Sequence, residues 1–148
     1  MSSFQLLAAW TGLLGGTSGV AAVIINVWSL YIDSPRLRIN VTHAIWTSDQ
    51  NEYCCIEIIN KGGKEVQLSS LSIEYENGFH SPFSAFFQDD RIGAEFPFRL
   101  SSHSAQSWLV KKSAIAQNSQ LFEGSNQVKV FVSSLGKKLY SKNAFTLK

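Results

Sequence analysis

The side chains able to do chemistry are few and scattered. His43, His80 and His103 stand far apart, and none has a second ligand at the short spacing that metal sites use. Cys54 and Cys55 are adjacent. On a strand they point to opposite faces, so at most one is exposed, and neither has a neighbouring cation to lower its pKa. Two vicinal cysteines make no disulfide framework, and unpaired thiols suit a reducing compartment. Asp89, Asp90 and Glu95 could hold a cation, although a short acidic loop ordinarily just faces water. No Gly-x-Ser-x-Gly, phosphate-cradling P-loop, His-Glu-x-x-His or dinucleotide fingerprint occurs, nor any RNA-binding motif that interleaves basic and aromatic residues. The expectation is a binding protein rather than an enzyme, with no metal, cofactor or nucleic-acid motif.

Charge is distributed unevenly. Residues 39–98 hold three basic residues against nine acidic, whereas residues 99–148 hold eight basic residues against Glu123 alone. Such halves can pair across sheets and solvate the surface. Alternatively, Lys111, Lys112, Lys137 and Lys138 could join Arg36 and Arg38 as contacts for anionic lipid or a small phosphate-bearing ligand. Six of the ten phenylalanines fall between Phe79 and Phe98. Phe83, Phe86 and Phe87 then form either core or a candidate apolar surface.

The elements that must position these groups divide the chain in two. Residues 1–32 contain no Asp, Glu, Lys, Arg or His. The stretch from Phe4 to Ile32 is long enough to span a hydrocarbon core as one helix, since about 20 residues at 1.5 Å each cover about 30 Å. Trp10 and Trp28 are spaced for the two interfacial belts. Ser34-Pro35 ends the helix, because the residue before proline is pushed out of the α region. Arg36 and Arg38 follow an uncharged N-terminal flank, which by the positive-inside rule keeps the C-terminal part in the cytoplasm. Ala8, Gly12 and Gly16, with Gly15 and Gly19, repeat every four residues, the pattern of helices that approach closely and self-associate. The expected organisation is a transmembrane helix and junction over residues 1–35 and a cytosolic β domain over 36–148.

Beyond Pro35 the periodicity becomes that of strands. Leu37, Ile39, Val41 and Ile45 alternate with polar or small residues. Strands are expected again at Tyr53–Asn60, Val66–Leu68, Leu71–Glu76, Ser107–Val110, Gln127–Ser133, Lys138–Tyr140 and Ala144–Leu147. Asn60-Lys61-Gly62-Gly63, Asn77-Gly78 and Leu135-Gly136-Lys137 supply the turns, with Asn-Gly the strongest hairpin signal. Ser81 as N-cap and Pro82 in the first turn predict a short helix carrying Phe83, Phe86 and Phe87 on one face, and Ser113–Asn118 predicts a second turn. Trp46 and Trp108 are candidates for the core. Together these predict a mainly β protein, an antiparallel sandwich of immunoglobulin-like size, with a small β-barrel as the alternative.

Ser34-Pro35-Arg36-Leu37-Arg38, the run IEIINKGGKEVQLSSLSIEYENG from Ile56 to Gly78, and VKVFVSSLGKKLYS from Val128 to Ser141 give the chain a familiar layout. It resembles small bacterial single-pass membrane proteins with an uncharged N-terminal helix, a Pro-Arg junction and a compact β domain. The resemblance implies the bacterial inner membrane as location and carries no activity with it. The function expected is that of a membrane-anchored interaction module, oligomeric through its helix, that contacts lipid and binds a protein or a phosphate-bearing ligand. The alternatives are a ligand-gated membrane effector of the antiviral-defence type and an envelope scaffold with its domain outside the cytoplasm.

Overall fold

The computed structural model describes residues 3–121 and 126–147. Within the first helix, side chains are described at residue 16 and at residues 18–32. The chain divides into two compact units, Met1–Ser34 and Pro35–Lys148.

The first unit is helix α1, Ser3–Asp33. Its end is built as a proline stop requires. The Ser34 amide donates to the Leu30 carbonyl, and the Ser34 hydroxyl donates to the Tyr31 carbonyl at 2.8 Å, serving carbonyls that the broken helix would leave unpaired. Val20, Val23, Ile24, Ile25, Val27, Trp28, Leu30 and Tyr31 are all exposed. Their positions go round the helix rather than forming one apolar stripe. Among the described residues no helix is long and apolar enough to cross a membrane.

The second unit is mainly β and antiparallel throughout. One sheet has the order β1-β2-β8-β6, formed by β1 (Leu37–Ile45), β2 (Glu52–Asn60), β8 (Ser104–Lys111) and β6 (Arg91–Ile92). Another has the order β10-β9-β4-β5, from β10 (Lys137–Tyr140), β9 (Gln127–Ser134), β4 (Ser70–Tyr75) and β5 (His80–Pro82), with β11 (Phe145–Thr146) also on β9. A two-stranded piece joins β3 (Val66–Leu68) to β7 (Phe98–Leu100). Helix α2 (Lys112–Leu121) continues directly from β8.

Alternation explains the core. Ile56, Ile58, Trp108 and Val110 from one sheet, and Leu71, Ile73, Val128, Val130 and Val132 from the other, belong to one buried cluster. Trp108 anchors it. Its indole N–H donates to the Ala94 carbonyl at 2.8 Å, its ring stacks on Phe96, and Phe98 meets it edge-on. The segment that covers it needs Gly93. That residue has φ +149°, and a Cβ there would lie 2.3 Å from Trp108 Cδ1. Asn60 is fully buried but satisfied: its amide donates to the carbonyls of Lys64 and Ser101, and its oxygen accepts from the Gly62 amide. The glycine turn is therefore clamped by the residue that opens it.

Several expectations need correction. No α-helix follows Ser81. Ser81 lies in β5 opposite Ile73, and two 3-10 turns, Phe83–Ala85 and Gln88–Asp90, follow instead. The phenylalanines therefore separate: Phe83 and Phe86 are buried in the core, while Phe87 is 80% exposed. Trp46 is 46% exposed, in the loop after β1, with its ring edge-on to Tyr53. Ile45 is also exposed. The turn expected at Ser113–Asn118 is a full helix, α2, which buries Ala114, Ile115 and Ser119. The other predicted strands and hairpins match observed elements to within a few residues.

Candidate binding groove

Strand β1 lies at the edge of its sheet and pairs with β2 alone. Its register sets Asn40 opposite Glu57 and Thr42 opposite Cys55. Asn40 Nδ2 donates to Glu57 Oε2 at 3.2 Å, so this carboxylate has a partner within the sheet.

The facing wall arises from a break in the other sheet. β10 and β11 lie end to end along the same edge of β9, and Ser141 joins them. Its amide donates to the Val130 carbonyl, while its hydroxyl accepts from the Val130 amide at 3.2 Å and donates to the Asn143 carbonyl at 2.9 Å. One buried hydroxyl thus stands in for a ladder residue, and Lys142 and Asn143 bulge from the sheet. A groove of about 520 Å³ results, lined by Arg38 through Thr42, by Cys55, Glu57 and Ser107, and by Lys142 and Asn143. A neighbouring groove of about 210 Å³ is lined by Leu37, Arg38 and Ile39 on one side and by Leu139, Tyr140 and Lys142 on the other. Side chains alternate between faces along a strand. A run of five consecutive lining residues therefore presents the strand's backbone edge to the groove. Arg38 and Lys142 supply the positive rim, and the smaller groove is apolar between them.

Of the basic residues singled out in the sequence, the structure brings only Arg38 to this groove. Arg36 immediately precedes β1, and its carbonyl accepts from the Lys61 amide at 2.7 Å. Lys111 and Lys112 do not join an anion-binding face. Lys111 pairs with Asp90 at 3.3 Å and Lys112 with Glu52 at 2.8 Å, because the antiparallel register carries the basic half of the chain alongside the acidic half. Lys112 holds the Glu52 carboxyl below its ordinary value, first by hydrogen bond and then by charge. Lys137 and Lys138 are exposed on β10, and the Lys138 ammonium lies 4.7 Å from the centre of the Phe131 ring. Tyr140 and His80 cover the rest of that ring, and the hydrogen bond from Tyr140 to Glu74 pushes the phenol pKa up. Phe83 and Phe86 line no surface. Of the helix positions, Gly16 and Gly19 have open space where a Cβ would stand, while Ala8, Gly12 and Gly15 lie outside the residues whose surroundings are described.

The sequence reading missed Lys142, Asn143, Asn40 and Glu57 as groove residues. Asn40 and Glu57 could be found from strand alternation once the β1–β2 register was set. Lys142 depends on a bulge between two short strands, which alternation alone does not reveal. The thiols behave as their strand dictates. Cys54 is fully buried, and desolvation, reinforced by Cys55, pushes its pKa up to about 12, whereas Cys55 borders the groove. Among the described residues no three His, Cys, Asp or Glu side chains converge as a metal site. No known protein family matches the chain, and no curated protein is similar to it.

Proposed function

We propose that the protein is a membrane-anchored, non-enzymatic binding module whose β domain, an antiparallel sandwich rather than a barrel, presents the β1 groove to a partner in the bacterial cytoplasm. The observation that carries the reading is the surface of α1. Residues 1–32 have no Asp, Glu, Lys, Arg or His, and the described apolar residues from Val20 to Ile32 are exposed around the helix. Water disfavours such a surface by about 25 cal/mol per Å² of apolar area, and a lipid bilayer does not. Arg36 and Arg38, directly after the helix, favour a cytoplasmic β domain, and the one long uncharged stretch of the sequence favours a single pass. The sandwich reading rests on two antiparallel sheets that give inward residues to one core, with no ladder closing either sheet on itself among the described residues.

Alkaline carbonate extraction tests the anchor: the full chain stays with the membrane fraction if α1 spans, and is released if it does not. Topology is tested by cysteines introduced at Ser2 and Ser134 in a Cys55→Ser background, since Cys55 borders the groove. An impermeant maleimide applied to intact cells labels the Ser2 site alone if the domain is cytoplasmic. Labelling of the Ser134 site alone overturns that orientation and favours the envelope scaffold.

A further inference from the structure

Sheet edges are pairing hazards, and three of the four edges in the larger sheets here are blunted. β6 has two residues. β5 has three and ends in Pro82. β10 has four, two of them the exposed Lys137 and Lys138. The fourth edge, β1, has nine residues, no proline or glycine, and Arg38 as its one permanently charged side chain. Among the described residues its outer edge makes no backbone hydrogen bond, and that edge borders the groove.

We propose that β1 docks an extended peptide segment in which acidic and apolar residues alternate, adding a strand to the four-stranded sheet. This rests on the binding half of the function proposed above and is independent of the membrane half. The backbone edge offers alternating N–H and C=O groups, which only another extended backbone satisfies in register; a lipid phosphate accepts hydrogen bonds and donates none. A strand's side chains point alternately to two sides. One set would meet Leu37, Ile39 and Leu139 in the smaller groove, and the other would meet Arg38 and Lys142. Glu57, already bonded to Asn40, disfavours an acidic residue directly above it, so the charge match lies along the rim.

The test uses the purified full chain in mild detergent and a fluorescein-labelled octapeptide of alternating Glu and Val. Its fully N-methylated counterpart has the same side chains and no backbone donors. Anisotropy should show binding that weakens with added salt, and methylation should reduce affinity about tenfold or more. The Arg38→Gln/Lys142→Gln variant, changed only at exposed rim positions, should lose about tenfold as well. Hydrogen exchange gives a readout that needs no variant. In the free chain the outward amides of β1 should exchange faster than those bonded to β2, and the peptide should slow them. Binding of the methylated peptide within about threefold of the parent overturns the proposal, as does no binding up to about 1 mM. Protection of the outward amides in the free chain overturns it too, because the edge would then already be covered. If phosphatidylglycerol vesicles, and not the peptide, protect these amides, the groove is a lipid contact instead.

Discussion

Individual residues separate into those replaceable by any similar side chain and those without a substitute. Gly93 is of the second kind. Alanine there would place a Cβ 2.3 Å from the Trp108 ring at φ +149°. Gly93→Ala should cost about 3 kcal/mol or more in denaturant unfolding, since backbone strain and core overpacking add. Leu135 presents the opposite case. It and Gly136 both have positive φ, as a two-residue hairpin turn requires, yet leucine pays for that conformation while 80% exposed. Leu135→Asn should raise stability by about 0.5–1 kcal/mol, visible as a higher unfolding midpoint. The cysteines should differ in reactivity as they differ in burial. A maleimide at neutral pH should modify Cys55 in the native chain and reach Cys54 only after unfolding, which peptide mass mapping would show. Legibility in the sequence followed the same division. Asn77-Gly78 announced its hairpin because the glycine supplies the positive φ the turn needs. Leu135-Gly136-Lys137 was legible as a turn through its glycine, but the positive φ of Leu135 was not, because pairing of β9 with β10 forces a conformation that leucine disfavours. Trp46 and Trp108 looked alike as bulky aromatics near strands, and only the covering segment around Gly93 and Phe96 distinguishes the buried one.

At the level of elements, local pattern located most strands, and the non-local ladders decided which charges meet. β2 with β8, and β4 with β9, are pairings across long stretches of chain that hydrophobic alternation cannot rank. The β2–β8 ladder sets Lys112 against Glu52, and β6 beside β8 sets Lys111 against Asp90, so these lysines form ion pairs between distant parts of the chain instead of one basic face. The Lys112–Glu52 pair joins the start of α2 to β2 and carries a pH signature. The folded-state pKa of Glu52 is depressed, so its contribution is present above the ordinary glutamate value of 4.5 and is lost as pH falls through the lower folded value. Acid unfolding of Lys112→Gln should therefore show a shallower loss of stability in that window than the parent chain, and the Glu52 carboxyl should titrate closer to its ordinary value by NMR. The phenylalanine cluster failed to be a helix for a related reason. Ser81 is used in the β4–β5 ladder, so it cannot also cap a helix, and the chain turns through 3-10 geometry to deliver Phe83 and Phe86 to the core.

For the molecule as a whole, the charge-free N-terminal segment and the β domain were legible as separate regions because charged residues begin abruptly at Asp33. The groove was not, because its two walls come from strands almost one hundred positions apart. In the proposed membrane setting, self-association through the small residues of α1 can be tested cleanly at one position. A Cβ at Gly16 meets nothing within 4 Å in the single chain. Gly16→Ile therefore leaves the chain's own packing undisturbed, and a fall in a membrane two-hybrid signal would report helix–helix contact alone. An unchanged signal would place any association elsewhere.

Ser141 has a wider consequence. By satisfying Val130 and Asn143 with one hydroxyl, it closes the accounts of the sheet on behalf of the bulge it creates. Lys142 is thereby released from any duty in folding, although it stands on the rim of the groove. In the proposed binding role, heritable change at position 142 would alter what the groove prefers without passing through the stability of the domain. Under that proposal recognition and folding are written in different letters, so a lineage of such proteins could diversify its partners while keeping one scaffold.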